Sequence, residues 1–202
     1  HNPMSNLRLG SGVAATVAMR EAGINVAIGT DTCTCADALN MFEATRLACT
    51  LSRVQGPDYE MWLESAQALE MATAAGAKAL GWEDEIGRLD PGYKADIVML
   101  DLGEVSYVPL NEPVNQIVFA ENSGGVRDVM IDGRMVVADG RVTTVDMVKL
   151  RHDVEAAVAP GAGPGGGAGA GRKPRGPCGP VLCRVRGAGL SGQSFRWVIT
   201  VG

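Results

Sequence analysis

Asp31 is the residue around which chemistry can be built in this sequence. It follows Ile24, Val26 and Ile28, a β-branched run bounded by Gly23 and Gly29, which is too short for a helix and has the composition of a buried strand. A carboxylate at the C-terminal end of a buried parallel strand, just ahead of a helix, occupies the place where α/β barrels keep their reacting groups. Aspartate is also a common cap and turn former, because its side chain bonds nearby backbone N–H groups. The spacing gives a location and leaves both roles open.

The neighbouring candidates are weaker. Cys33-Thr34-Cys35 offers two thiols one residue apart with no second pair, which falls short of a structural zinc set and reads as loop or packing cysteine. Asp37 reads as a cap, and Glu43 with Arg46 as an i,i+3 pair that steadies a helix. His1 stands in the turn-forming stretch His1 to Asn6, either as an exposed loop residue or as a pocket-lining imidazole. His152 lies in Arg151-His152-Asp153 and reads as part of a solvated face. A catalytic zinc takes about three protein ligands, yet the chain has two histidines and no H-x-H or H-E-x-x-H.

The elements that would position these residues follow from periodicity. Ser11 offers an N-cap, Val13 and Val17 lie one helical turn apart, and Gly23 supplies a stop, so a helix is predicted between them. After Asp31, Thr34 with Asp37 resembles a capping box, and Met41, Ala44, Ala48 and Leu51 follow at helical steps. Gly56-Pro57 breaks that helix. Trp62, Ala66, Leu69 and Thr73 predict another, ending at Gly81. From Glu85 the period becomes two: Asp96 to Asp101 and Gln116 to Phe119 read as short strands. Val126 to Ile131 and Arg134 to Ala138 flank Asp132-Gly133, a strong hairpin signal. Asp139-Gly140 leads into Arg141 to Val145, and Val148 to Val158 reads as a closing helix.

Composition divides the chain. Residues 1–159 carry 12 Lys/Arg against 23 Asp/Glu, a balance of −11, whereas residues 160–202 carry 6 Lys/Arg and no acid. Gly161 to Gly171 is almost entirely Gly, Ala and Pro, a composition that cannot offset the entropy of ordering it, so a disordered basic tail is expected. A nucleic-acid role for that tail is the weaker reading, and no nucleic-acid or membrane partner is expected. No apolar stretch approaches a membrane span, and no signal peptide is expected. Five cysteines in no framework spacing favour a reducing compartment, so a soluble, cytoplasmic chain is expected.

His1-Asn2-Pro3-Met4-Ser5-Asn6-Leu7-Arg8-Leu9-Gly10-Ser11-Gly12 resembles the H-N-P-x-S-N-L-x-L-G-x-G loop of the amidohydrolase superfamily, in its branch of chlorohydrolases and of cytosine, guanine and S-adenosylhomocysteine deaminases. Gly29-Thr30-Asp31, Asn40-Met41-Phe42-Glu43 and Arg46-Leu47-Ala48 are similar to that family's segment around the eighth barrel strand. Ala72-Thr73, Gly76-Ala77, Ala79-Leu80-Gly81, Gly87-Arg88-Leu89, Pro91-Gly92 and Lys94-Ala95-Asp96 resemble its later stretches, and Val129 to Arg134 its closing hairpin. The similarity runs in order from His1 to about Val145.

The resemblance implies an α/β fold: the C-terminal part of a metal-dependent (β/α)8 barrel in residues 1–84, part of a small β-sandwich in 85–159, and the disordered Gly/Ala/Pro/Arg-rich tail in 160–202. It implies a divalent metal, zinc or else iron, with Asp31 matching the family's ligand after strand eight and its proton acceptor. His1 and Asn6 match a loop that lines the substrate pocket. The implied activity is hydrolysis of a non-peptide C–N bond in a small molecule, as in deamination of a purine, pyrimidine or related heterocycle, by an enzyme that is a homo-oligomer at full length. The H-x-H pair and further histidines of the pattern are absent, so the chain corresponds to the last third of such an enzyme and is expected to be inactive alone. A non-catalytic remnant or assembly partner is the alternative. Thr32, Cys33, Thr34, Cys35 and Ala36 replace the small, Ser and Asn residues many relatives carry, which leaves the substrate open.

Overall fold

A computed structural model describes residues 1–158 and 196–200. One compact unit comprises the described residues up to Thr144 together with the strand at 196–200; a second comprises the described residues 145–158. The first unit begins with two short helices, α1 (Pro3–Leu9) and α2 (Thr16–Glu21). Proline at the first position suits α1, where its missing N–H has no intrahelical partner to lose. Helix α2 starts at Thr16 rather than just after Ser11. Thr16 is fully buried there, and its hydroxyl accepts from Gln55 Nε2 at 3.2 Å.

The run from Ile24 to Ile28 is extended and buries Val26 and Ile28, but it is not a paired strand among the described residues. A strand exists only through its neighbours, and the neighbour on one side here is residue 1. The His1 backbone nitrogen donates to Ala27 O at 2.7 Å and Gly29 N donates to His1 O at 2.9 Å. Two such bonds bracketing Ile28 are what a parallel pair makes. On the other side Ile28 N donates to Met71 O at 3.0 Å.

Cys33–Ala36 forms a one-turn helix, α3, closed by Asp37 in the left-handed region at φ +62°. The expected Thr34/Asp37 capping box is therefore not formed. The long helix α4 (Met41–Ser52) instead starts at Asn40, whose Oδ1 accepts from Phe42 N at 3.0 Å and Glu43 N at 3.3 Å. Its buried face is Ala44, Thr45, Ala48, Cys49 and Ser52. Helices α5 (Ser65–Ala72) and α6 (Ala74–Leu80) follow, the first opened by a Glu64/Gln67 capping box and the second closed by Gly81 at φ +73°. The stripe of α5 lies one position away from the expected one: Ser65, Ala68 and Met71 are buried while Ala66 is exposed, because the helix begins after Trp62.

The sheet holds β1 (Ile97–Asp101), β2 (Val126–Ile131), β3 (Arg134–Ala138), β4 (Arg141–Val142) and β5 (Arg196–Thr200) in the order β4-β3-β2-β1-β5, with every neighbouring pair antiparallel. Asp132-Gly133 and Asp139-Gly140 take positive φ at both residues, +49° and +75°, then +46° and +72°, as the tight turns of hairpins require. Two expectations fail in this region. Gln116 to Phe119 belongs to helix α7 (Pro113–Phe119), and the proline at its first position is the start signal. Arg196–Thr200, inside the tail expected to be unstructured, is a strand; the remainder of that expectation lies outside the described residues.

Two apolar clusters make the core. Met4, Val26, Ile28, Ala44, Ala48, Leu63 and Met71 form one, and Val98, Leu100, Tyr107 and Ile117 form the other. Between them Ala68 of α5 and Cys49 of α4 meet Val118 of α7, and Ala44, Ala48 and Ala68 are fully buried. Small side chains at these positions let the helices approach closely while the sheet covers their far side. In the second unit, helix α8 (Met147–Val158) is capped by Asp146, whose Oδ1 accepts from Val148 N and Lys149 N. His152 is exposed on it, as its charged surroundings suggested.

Candidate active site

The extended run ends at Asp31, and the backbone there is the first thing to account for. Asp31 sits at φ +62°, a conformation that costs most L-residues energy but that aspartate tolerates when its short side chain bonds locally. That bond is present: Asp31 Oδ1 accepts from Thr32 N at 2.6 Å. The residue is exposed. One oxygen of the carboxylate is held by its own loop, which fixes its direction.

The loop that carries His1 lies against the same strand end. The bonds from His1 to Ala27 and Gly29 bring its backbone within two residues of Asp31 along the chain. Gly29 makes this approach possible, because a Cβ there would run into Asn2 Oδ1. His1 is half-buried, and its Nδ1 is buried with no hydrogen-bond partner among the described residues. A buried ring nitrogen without a partner keeps an unused hydrogen-bonding capacity. Asn6 is half-buried on α1, and its carbonyl accepts from Ser11 N at 2.9 Å. An Arg8–Asp37 ion pair ties α1 to the end of α3. Asn2 and Arg8 were not singled out from the sequence; only the long-range fold reveals what they touch.

Cys33 is exposed and Cys35 half-buried on α3. Thr32 and Thr34 share a hydrogen bond of 2.7 Å between hydroxyls across the same turn. No group of three or more His, Cys, Asp or Glu side chains among the described residues is arranged to hold a metal ion. A catalytic zinc takes three protein ligands. The described residues therefore do not complete a metal centre by themselves; among them Asp31 can contribute one ligand.

Farther from Asp31, Arg46 does not pair with Glu43. Its Nε donates to Val118 O at 3.3 Å and its Nη2 to Glu121 O, so its charge meets carbonyls at and just beyond the C-terminal end of α7, where a cation is favoured. Glu121 is buried at 1% exposure and accepts from Tyr107 OH at 2.5 Å, Asn122 N at 2.9 Å and Gly125 N at 3.1 Å. Burial, together with the adjacent Glu121 carboxylate, pushes the Tyr107 hydroxyl well above its ordinary pKa. Burial likewise raises the Cys49 thiol, with Arg53 opposing. An apolar cleft of about 250 Å³, bordered by Met41, Phe42, Leu69, Val98, Val126 and Val129, opens between α4, α5 and the sheet. It does not include His1, Asn6 or Asp31.

Residues 1–136 match the amidohydrolase family. A 5-methylthioadenosine/S-adenosylhomocysteine deaminase from Acetivibrio thermocellus is 41% identical over 155 residues, covering 77% of this chain and 36% of the relative. Among solved structures, an adenosine deaminase from Xanthomonas campestris with bound zinc superposes with a TM-score of 0.74 at 35% identity, over 77% of this chain and 35% of the other. The atrazine chlorohydrolase from Arthrobacter aurescens complexed with zinc gives a TM-score of 0.72 at 30% identity, over 77% and 34%. The chain spans about a third of the length of the relatives it matches. No helix among the described residues is long and apolar enough to cross a membrane.

Proposed function

Because this chain belongs to the amidohydrolase family, we propose that it is the C-terminal portion of a metal-dependent hydrolase that deaminates a purine, pyrimidine or related heterocycle. Residues 1–84 are then the end of a (β/α)8 barrel, 85–159 part of a β-sandwich with a closing helix, and 160–202 a basic appendage. The metal is zinc, with the other ligands supplied from outside this segment. Asp31 is the ligand and proton-accepting carboxylate contributed here, and His1 and Asn6 contact the substrate. The complete enzyme is cytoplasmic and homo-oligomeric, with a small molecule as its substrate.

One observation carries this reading. Parallel-type main-chain bonds from His1 to Ala27 and Gly29 hold the loop that carries His1 against the end of the extended run that bears Asp31, the end where barrel enzymes keep their reacting groups. The test is ammonia release from adenosine, S-adenosylhomocysteine, guanine and cytosine by the full-length gene product, with Asp31→Asn beside it. A loss of roughly a thousandfold or more in kcat/KM, together with reduced zinc per chain, is expected of a carboxylate that serves both roles. Full activity in the variant would end the assignment. The lack of any three-ligand group among the described residues favours a second reading for the chain by itself, a non-catalytic assembly partner. Under it, the isolated chain binds a complementary polypeptide and holds no zinc through dialysis.

A further inference from the structure

We propose that the outer edge of β1 is a strand-binding site, filled in this chain by its own Arg196–Thr200 segment acting as a separable cap. Three observations carry the inference. The first is connectivity. Strands β1 to β4 come from one continuous stretch, Ile97 to Val142, whereas β5 arrives after 53 intervening residues. The second is register. The β1–β5 ladder pairs all five residues without a shift, from Ile97↔Thr200 to Asp101↔Arg196. The β1–β2 ladder slips at Met99/Leu100 and the β2–β3 ladder at Val129/Met130.

The third is what the edge would be if bare. Val98 and Leu100 of β1 are core residues at 7% and 0% exposure, so a row of unpaired N–H and C=O groups would stand directly beside the apolar core. Such edges recruit strands. The recruiting bonds are main-chain bonds, so the site selects an extended segment more than a particular set of side chains. Arg-Trp-Val-Ile-Thr suits it: aromatic and β-branched, with no glycine or proline inside the paired residues. The ligand class is thus an antiparallel strand of about five residues, presented in cis at an effective concentration on the order of millimolar.

The experiment uses the full chain carrying Val198→Pro and Ile199→Pro together. Adjacent strand residues direct their N–H groups to opposite sides, so the pair removes a ladder bond in either phase. Amide-resolved hydrogen exchange should show the β1 amides that face away from β2 exchanging roughly five- to tenfold faster, the worth of a backbone hydrogen bond. Amides of β2 and β3 should keep their protection. A synthetic peptide of residues 194–202, added at about 1 mM or above, should restore β1 protection. Unchanged β1 exchange in the variant, or a peptide that restores nothing, would overturn the proposal. So would loss of protection throughout β2 and β3, which would make β5 a foundation of the sheet. Protection of wild-type β1 that depends on protein concentration would place a second copy at the edge and would refute the cap in cis.

Discussion

Replacing Tyr107 by Phe removes one oxygen from a fully buried polar contact, and its cost follows from the geometry. Tyr107 is 1% exposed and donates to Glu121 Oε2 at 2.5 Å, while Glu121 Oε1 is shared by Asn122 N and Gly125 N. Without the hydroxyl, Oε2 loses its hydrogen bond from Tyr107 and stays buried. Removing a hydrogen bond to a carboxylate in such a place costs about 1.5–3 kcal/mol, a fall in melting temperature of roughly 3–12 °C for a chain of this size. Thermal unfolding followed by circular dichroism at pH 7 measures it. Glu121→Gln is the informative partner. Its amide oxygen still accepts from the two backbone N–H groups, and its NH2 donates to a tyrosine hydroxyl that can turn to accept, so it should cost less than Tyr107→Phe. The pH arm has a definite sign. The folded hydroxyl titrates above the unfolded value of about 10, so its contribution is complete below pH 10. As pH rises further, the unfolded state alone loses the proton, and stability falls by up to roughly 1.4 kcal/mol per pH unit. Tyr107→Phe abolishes that part of the slope. A variant that melts within 1 °C of the wild type, or a glutamine variant worse than the phenylalanine one, would refute the account.

Two further substitutions test the loops around the site. Asn40→Ala loses the cap of α4 along with the contacts of Asn40 to Asn122 O and the Ser123 hydroxyl. A destabilisation of about 1–2 kcal/mol is expected in urea titration, with faster exchange at Phe42 and Glu43. Gly29→Ala places a methyl group against Asn2 Oδ1. It should cost about 1–3 kcal/mol by overpacking and free the Gly29 amide to exchange, while β2 and β3 are untouched; a neutral result would mean that Asn2 turns aside freely.

The parts of the fold legible in the sequence are those whose cause is local. Asp132-Gly133 and Asp139-Gly140 name their turns because positive φ at two successive residues admits few residue types, and Gly81 ends its helix for the same reason. Gln116 to Phe119 is not legible as a helix because four residues cannot distinguish a strand from a buried helical turn, and the deciding Pro113 lies outside that run. The run before Asp31 was legible as extended and apolar. Its pairing was not, since that depends on His1 and Met71, 27 and 43 residues away from Ile28. Arg46 shows the same limit: a helical neighbour at i−3 suggested a partner, but carbonyls at the end of α7 offered a better one. That Asp31 stands next to a loop bearing an unpartnered imidazole could be known only once the chain had folded back on itself.

The Arg46 clamp has a mechanical consequence. Its guanidinium holds the carbonyls of Val118 and Glu121, so the middle of α4 is fastened to the point where α7 ends, and five residues beyond Glu121 the chain enters β2. The start of α4 is fastened to the same turn through Asn40, Asn122 and Ser123. Two rivets along one helix prevent both sliding and pivoting. The chain leaving Asp31 reaches the first of them after only nine residues, so the loop spans a gap whose far bank belongs to the sheet. Stiffness at the carboxylate is thereby borrowed from strands that never touch it.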